Sequence, residues 1–146
     1  MPRARLLERI GADGDERMAA AFARAGLVFS PSPTMPNSLA ALRLAELARE
    51  RGLHAPLHER LMESYWGEGV DIGGLDALRA LAAEVGLDEP ETAWADDGYR
   101  EIVRSSTRQA QALGVTGIPG FLLDRRLLVL GAQPDEVFVE AFAQLG

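Results

Sequence analysis

The chain has 146 residues, 47% of them hydrophobic, and a formal net charge of −7. The length favours one domain. The acidic balance argues against nucleic acid or an anionic membrane as partner, because phosphate binding needs a basic face. No apolar run approaches the roughly 20 residues of a membrane span, and the start lacks a signal peptide's apolar core, so we expect a cytoplasmic location. Cysteine is absent, which excludes disulfides, Cys-ligated metals and thiol mechanisms carried out by this chain alone.

The chain begins with helical patterns and a connector. Apolar residues share one face of a predicted helix at 2–10, and a second helix is predicted to begin near Asp15 and to end before Gly26. The Pro/Ser-rich stretch at 26–38 predicts an extended connector, because a residue that precedes proline disfavours helix. Within this connector, residues 27–29 could add a short strand.

A well-defined helix is predicted next. It begins at Asn37 or Ser38, whose side chains can cap free backbone amides, and it ends at Arg51 before Gly52. The apolar spacing places on its buried face Leu42, Ala45 and Ala48, widened by Leu44 and Leu47.

Three further helices are indicated by apolar residues at helical spacing. A glycine-rich loop at 67–74 separates the first two, and a short helix after Pro90, with Trp94 inward, precedes the third. The three stripes consist of Leu57, Leu61, Met62 and Tyr65; of Leu75, Leu78, Leu81, Ala82 and Val85; and of Tyr99, Ile102, Val103, Ala110 and Leu113.

The pattern changes near the end of the chain to short apolar runs. Residues 121–123 and 127–130 flank Asp124-Arg125-Arg126, which fits a β-hairpin, and their continuous apolarity predicts that both faces are covered. Pro134 suits the first turn of a final helix. We therefore expect a single domain over 1–146, with a mainly helical region at 1–113 and the hairpin and final helix in 114–146.

His54 and His58 stand four residues apart, a spacing that can place two metal ligands on one helical face. The zinc-protease pattern needs a glutamate directly after the first histidine, where this chain has Ala55. We interpret both as ordinary surface or interface histidines and assign no metal site.

Carboxylates and hydroxyls give no stronger candidate. The pairs Asp96-Asp97 and Glu89/Glu91 could perform acid/base chemistry, but neighbours in sequence point apart on a helix, so we interpret them as surface charges. Residues 105–107 offer hydroxyls without a base in local register or a Gly-x-Ser-x-Gly elbow. Gly114, Gly117 and Gly120 are spaced three residues apart but do not form a phosphate loop with a lysine, so a nucleotide site is not predicted.

Four aromatic residues allow two interpretations. Together they could line a small-molecule pocket, although aromatic residues on helical stripes more often belong to the core. We favour the core for Tyr65, Trp66, Trp94 and Tyr99.

Three stretches together resemble the DsbA family of thiol-disulfide oxidoreductases in its FrnE-like form: PNSLAALRLAELARERGL, HERLMESYWGEGVDIGGLDALRALAAEVGLD and ALGVTGIPGFLLDRRLLVLGAQPDEVFVEAF. The resemblance runs from about Asp15 onward. It implies an α/β, thioredoxin-like fold, here N-terminally truncated and therefore mostly helical, with a C-terminal β-hairpin and final helix. Residues 1–113 then correspond mainly to the family's helical insertion, and 114–146 to the C-terminal thioredoxin-fold portion.

The resemblance implies a substrate-binding loop at Thr116, Gly117, Ile118 and Pro119, with a cis peptide bond before the proline. In the family this loop lies beside a Cys-x-x-Cys, and the backbone before the proline pairs with an extended substrate segment. Nothing in this chain replaces the cysteines, so we assign no catalytic residue or cofactor and expect no dithiol exchange. Gly120 departs from the bulkier residue expected after the proline, which leaves the shape of the substrate groove open.

The resemblance also suggests partners. A peptide or protein thiol is the expected substrate, and a hairpin without the family's preceding strand has an open edge, so we expect a homo-oligomer through the hairpin. Two alternatives remain. One is a non-catalytic module that binds a peptide or partner, and the other is a fragment related to glutathione-dependent 2-hydroxychromene-2-carboxylate isomerases or kappa-class transferases.

Overall fold

The computed structural model describes Pro2, Ala4, Glu8, Gly11 and residues 13–146. Within this part of the chain the elements are the helices and strands α1 (Gly14–Arg24), α2 (Leu39–Glu50), α3 (His54–Trp66), α4 (Leu75–Glu84), α5 (Thr92–Ala95), α6 (Asp97–Ala112), β1 (Gly120–Leu123), β2 (Leu127–Leu130) and α7 (Asp135–Leu145). The helix predicted at 2–10 falls largely on residues outside those described. The other predicted helices and the hairpin are confirmed.

The described residues form two compact units, one up to Val103 and the other from Arg104 to Gly146. The division at residues 113 and 114 that the sequence predicts stays a prediction. None of the helices among the described residues is long and apolar enough to cross a membrane.

The core of the first unit is built around α2. This helix packs against α3, α4 and α5, and α3 also packs against α4. The buried residues are mostly leucine and alanine, whose removal from water stabilises the unit by roughly 25 cal/mol per Å² of apolar surface. They include Leu44, Leu47, Ala48, Leu57, Leu78 and Ala82, all with no exposed surface.

The buried face of α2 differs from the predicted one. Leu42, expected inside, is 47% exposed, whereas Ala41 and Arg43 are buried. Apolar residues occupy so much of this helix that several stripes fit its sequence, and the packing of three other helices decides which stripe is buried. Other predicted stripe residues that are exposed are Met62, Leu75, Ile102 and Leu113.

The ends of α2 follow local rules. The side-chain oxygen Oδ1 of Asn37 accepts a hydrogen bond from the Leu39 amide at 3.1 Å, so Asn37 rather than Ser38 supplies the capping side chain. Gly52, just beyond the helix, has a φ of 73°, in the left-handed region that glycine tolerates.

The connector after α1 contains no strand at 27–29, so that expectation was wrong. Leu27 and Val28 are exposed. Phe29 packs on Phe22, with ring centroids 5.1 Å apart, and on Trp66, with centroids 6.2 Å apart. Aromatic packing, rather than strand pairing, therefore holds this segment.

In the second unit, β1 and β2 pair antiparallel, with Gly120 opposite Leu130 and Leu123 opposite Leu127. The turn between them is tight, because the Arg126 amide donates to the Leu123 carbonyl at 3.0 Å. Helix α7 packs against β2, and Phe138 of this helix meets Phe121 edge-on, with ring centroids 5.0 Å apart.

The hairpin is less covered than its apolar sequence predicted. Phe121 and Leu122 are each 40% exposed, and Val129 alone among the strand residues is buried. The expectation that both faces are covered was therefore wrong. In α7, Ala141 is buried, whereas Phe142 is 59% exposed.

Candidate functional site

The four residues predicted to bind substrate lie together on the loop between α6 and β1. Helix α6 closes with the Val115 amide donating to the Ala110 carbonyl at 3.0 Å. The chain then runs through Thr116 and Gly117 to Ile118, and the Ile118–Pro119 peptide bond is cis. At the other end of the loop, the Gly131 amide donates to the Pro119 carbonyl at 2.8 Å, which fixes the loop to the end of β2.

The loop is open to solvent. Residues 116–120 are all exposed, and the side chain of Ile118 is 93% exposed. A large apolar side chain contributes nothing to the core at such exposure, and covering it with a partner is favourable. The loop therefore offers an apolar contact flanked by accessible backbone.

Gly120, where the resemblance implies a bulkier residue, is explained by close packing. A Cβ atom at Gly120 would lie 3.1 Å from Cγ1 of Val115, which is tighter than ordinary carbon–carbon contact. Val115 occupies the space of the missing side chain, so the surface beside Pro119 is filled from the preceding segment of the loop.

The outer edge of β1, which pairs with no strand among the described residues, continues from this loop. In an antiparallel pair, backbone groups alternate between bonding the partner strand and pointing away from it. The bond from the Gly131 amide to the Pro119 carbonyl adds one pair to the ladder beyond Gly120 and Leu130. The N–H and C=O groups of Gly120 and Leu122 therefore point away from β2.

The outer edge of β2 has different surroundings. By the same alternation, Leu128 and Leu130 point their backbone groups away from β1. The side-chain amide Nε2 of Gln133 donates to the Leu130 carbonyl at 2.7 Å. A cavity of about 310 Å³ lies between this strand and α7, lined by Leu127, Leu128, Val129, Leu130, Gln133, Val137, Glu140, Ala141 and Gln144.

The aromatic residues of the helical unit divide between core and cavity. Tyr65 and Tyr99 are buried, which confirms the core interpretation for both. Trp66 and Trp94 are half-buried and pack against the core, and they line two different cavities. The cavity beside Trp94 has a volume of about 240 Å³. The cavity beside Trp66, of about 640 Å³, is lined by Phe22, Gly26, Leu27, Val28, His58, Glu59, Met62, Glu63, Trp66 and Gly67.

Arg43 is a buried charge that the sequence patterns did not single out. Its Nε atom donates to the Ala93 carbonyl at 2.8 Å, and one terminal nitrogen donates to the carbonyls of Trp94 at 2.9 Å and Asp96 at 3.1 Å. The side chain is 6% exposed, and the Asp97 carboxylate lies 3.9 Å away. A lone arginine in an apolar helix face is the signal that could have revealed it.

His54 and His58 lie side by side on α3, next to an arginine. The rings of His54 and His58 stack with centroids 5.8 Å apart, and the Arg49 guanidinium lies 3.0 Å from Nε2 of His54. A cation next to an imidazole opposes metal binding. Among the residues that the structure describes, no group of three or more ligating side chains could hold a metal ion.

Two of the acidic residues considered in the sequence take part in ordinary surface contacts. The Arg79 guanidinium donates to Glu91 at 2.7 Å and lowers the pKa of that carboxyl. Asp96 accepts a hydrogen bond from the Gly98 amide at 2.8 Å.

Another charged cluster joins α3 to α4. The Arg60 guanidinium donates to Glu84, Glu68 and the Ser64 hydroxyl. The carboxylates of Glu84 and Glu68 raise the pKa of this guanidinium.

Comparison with solved structures finds the same fold. The chain is similar to the probable DsbA oxidoreductase SCO1869 from Streptomyces coelicolor, with 35% identity and a TM-score of 0.80 over 90% of this chain and 58% of that chain. It is also similar to the cytosolic disulfide reductase DsbM from Pseudomonas aeruginosa, with 27% identity and a TM-score of 0.59 over 78% of this chain and 62% of that one. For DsbM with GSH the identity is 28% and the TM-score 0.58, over 77% of this chain and 61% of that one.

The chain thus spans between 58% and 62% of the length of these solved relatives. No significant match is found among curated proteins. A family model described as a DSBA-like thioredoxin domain matches residues 15–143, which confirms the thioredoxin-like fold implied by the sequence. The chain therefore belongs to the DSBA-like thioredoxin domain family.

Proposed function

We propose that this chain is the substrate-binding part of a FrnE-like DsbA-family protein. In this proposal Thr116, Gly117, Ile118 and Pro119 hold an extended segment of a peptide or protein thiol substrate. The observation that carries the proposal is the 93% exposure of Ile118 on a loop whose neighbours are also exposed. An extended segment on this loop covers the apolar side chain while its backbone bonds the loop's free groups.

The chemistry follows from the residues present. Disulfide exchange requires a thiolate that attacks a disulfide sulfur, and the chain has no cysteine. We therefore assign binding and positioning of the substrate to this chain, without thiol chemistry of its own.

An insulin-reduction or refolding assay tests this assignment. We expect no dithiol turnover from purified material whose intact mass matches the sequence, because no thiolate is available. A DsbA-family enzyme with its cysteines, run in parallel, shows that the assay works. Clear turnover by the mass-verified chain would overturn the assignment.

The binding site is tested with Ile118→Ala. We expect the affinity for a fluorescein-labelled, unfolded peptide, measured by fluorescence anisotropy, to fall by about five- to thirty-fold, corresponding to about 1–2 kcal/mol for a central apolar contact. Because Ile118 is 93% exposed, the free energy of unfolding should change by less than about 0.5 kcal/mol.

Leu27→Ala is the matched control, since Leu27 is 61% exposed in the helical unit. This variant should bind the peptide as the wild type does. Equal affinities of the wild type and Ile118→Ala, or no peptide binding at all, would contradict the proposed site.

The proposal includes association through the hairpin and a cytoplasmic location. The exposure of Phe121 and Leu122 supports the association, since apolar strand edges pair readily with other chains. The similarity to DsbM, a cytosolic reductase, supports the location.

Glutathione binding is a second candidate, related to the isomerases and transferases that the sequence suggests. The observation that favours it is the similarity to DsbM with GSH. Calorimetric titration with reduced glutathione tests it, with amide chemical shifts used to locate the ligand. Shifts at 116–119 that saturate with glutathione would support this candidate, whereas no heat and no shifts would eliminate it.

A further inference from the structure

We propose that the cavity between α3 and the end of α1 binds a small organic cation, an amine carried on an aromatic or aliphatic body. The cavity has a volume of about 640 Å³, and the described residues that line it belong to α1, α3 and the segments that follow these helices. All of them lie in the first unit. The proposal uses none of the residues 116–119 and does not depend on the function proposed for that loop.

Aromatic side chains contribute to the lining of this cavity and are fixed in place by one another. The rings of Phe22 and Trp66, which both line the cavity, have centroids 5.8 Å apart, and Phe29 packs on both. The Ser30 amide donates to the Trp66 carbonyl at 2.6 Å, which ties the connector to the end of α3. A lining held in this way needs little reordering to accept a ligand, so less of the binding free energy is lost.

The cavity favours a ligand with an apolar body. Its lining includes Val28, which is 69% exposed, and Met62, which is 38% exposed. Covering such side chains is favourable, and volumes of about 300–1,000 Å³ are typical of sites for small molecules. Methionine adapts to ligands of different shape because its side chain is unbranched and flexible. An aromatic or aliphatic body of moderate size therefore suits this space.

The charge of the lining selects a cation. Glu59 and Glu63 stand four residues apart on α3, so both carboxylates lie on the helix face that carries Met62 and Trp66. Apart from His58, they are the only ionisable side chains among the described residues of the lining. Glu59 is exposed and forms no ion pair with any described residue.

The neighbouring Arg60 does not cancel this charge. Its guanidinium lies 3.5 Å from Glu63, but it also pairs with Glu68 and Glu84. One cation thus faces three carboxylates, and a local excess of negative charge remains. An ammonium group in the cavity meets carboxylates and the ring surface of Trp66, to which cations are attracted. A neutral ligand of the same shape gains neither contact.

Tryptamine and tryptophol test the proposal, because they share an indole body and differ in carrying an ammonium or a hydroxyl group. In titrations of the full chain followed by amide chemical shifts, we expect saturable shifts at 22–28 and 58–67. Tryptamine should bind about five- to thirty-fold more tightly than tryptophol, since it adds ion pairs at the rim and a cation–π contact.

A double variant, Glu59→Gln with Glu63→Gln, removes the charge and keeps the shape of the lining. We expect it to bind tryptamine within about two-fold of tryptophol, and to bind tryptophol as the wild type does. The control, Asp88→Asn with Glu89→Gln, removes the same number of charges from the exposed loop after α4, which is not part of the described lining. This control should keep the preference for tryptamine.

Three results would overturn the proposal. The first is equal affinity of the wild type for the two probes, or shifts confined to residues outside the lining, and this result depends on no variant. The second is a full preference for tryptamine in the variant of Glu59 and Glu63. The third is an equal loss of preference in the control, which would show that overall charge selects the cation. All four substituted residues are exposed, so the circular dichroism of both variants should match the wild type.

Discussion

Asp124 and Arg125, in the turn between the two strands, have φ values of 48° and 55°. Left-handed backbone costs a residue with a Cβ atom about 1–2 kcal/mol, and aspartate tolerates it better than arginine does. In hairpin turns with two successive residues of positive φ, the second position strongly prefers glycine. Arg125 therefore occupies its position at the expense of stability.

We expect Arg125→Gly to raise the free energy of unfolding by about 1 kcal/mol, measured by urea denaturation. Arg126→Gly is the control, because Arg126 has no left-handed φ and its exposed ion pair with Asp124 is long, at 3.7 Å. This control should bring no gain, since glycine adds freedom to the unfolded chain. A gain of equal size in both variants would point to charge rather than backbone strain.

Among the helices, Arg43 of α2 joins this helix to α5 and to the segment before α6. Arg43 donates to carbonyls of Ala93, Trp94 and Asp96, at the end of α5 and before the start of α6. Carbonyls at a helix end lack partners within the helix, and a cation there is favourable. One side chain of α2 thereby satisfies the backbone between the next two helices.

Replacing Arg43 by alanine should lower the free energy of unfolding by about 3 kcal/mol or more, because hydrogen bonds from a charged group are lost and buried carbonyls are left unpaired. Arg43→Lys should recover only part of this, since an ammonium cannot reproduce the planar fork. Arg49→Ala, on the same helix but exposed, should change stability by less than about 1 kcal/mol. Equal effects of the two alanine variants in thermal or urea unfolding would refute the role of Arg43.

The helices themselves were predictable, but their buried faces were not. Helix ends depend on local chemistry, such as the Asn37 cap and the glycine that follows Arg51, which a sequence shows directly. The face of α2 depends on helices far away in sequence, so Leu42 was wrongly expected to be buried and the burial of Arg43 was not predicted. The hairpin was recognised from its local sequence. The burial of its two faces depends on long-range packing, so its coverage was overestimated.

For the molecule as a whole, stability at alkaline pH should depend on Tyr99. Its hydroxyl donates to Glu50 at 2.7 Å, and this bond, together with burial, raises the pKa of Tyr99 above its ordinary value of 10.0. The folded state then holds the phenolic proton more tightly than the unfolded chain does. The stabilisation is complete below the unfolded pKa and is lost as the pH rises through the higher folded pKa.

We therefore expect the free energy of unfolding to fall above about pH 10 and this fall to be smaller in Tyr99→Phe, in urea titrations on both sides of that pH. Tyr65→Phe removes the other tyrosine hydroxyl, which contacts the Met35 sulfur at 3.4 Å, and is the matched control. An alkaline loss of the same size in the wild type and in Tyr99→Phe would contradict the role of this hydrogen bond.

The sequence could propose a candidate site because the residues concerned are contiguous. Thr116 to Pro119 follow one another, so no long-range packing is needed to bring them together, and the family resemblance indicated their role. The resemblance led us to expect an open edge of the hairpin, but it did not show which backbone groups of β1 point outward. Which backbone groups point outward depends on the pairing register, fixed here by the contact between Gly131 and Pro119.

The hydrogen bond from Gln133 to the Leu130 carbonyl has a consequence for concentrated solutions. A sheet with two reactive edges can add copies without limit and grow into fibres, whereas a sheet with one such edge closes after a single addition. Gln133 occupies an acceptor on the outer edge of β2, so a strand added at this edge would lack a bond to the Leu130 carbonyl. One amide side chain, outside the loop proposed to bind substrate, therefore makes the outer edge of β2 a poorer template for another chain.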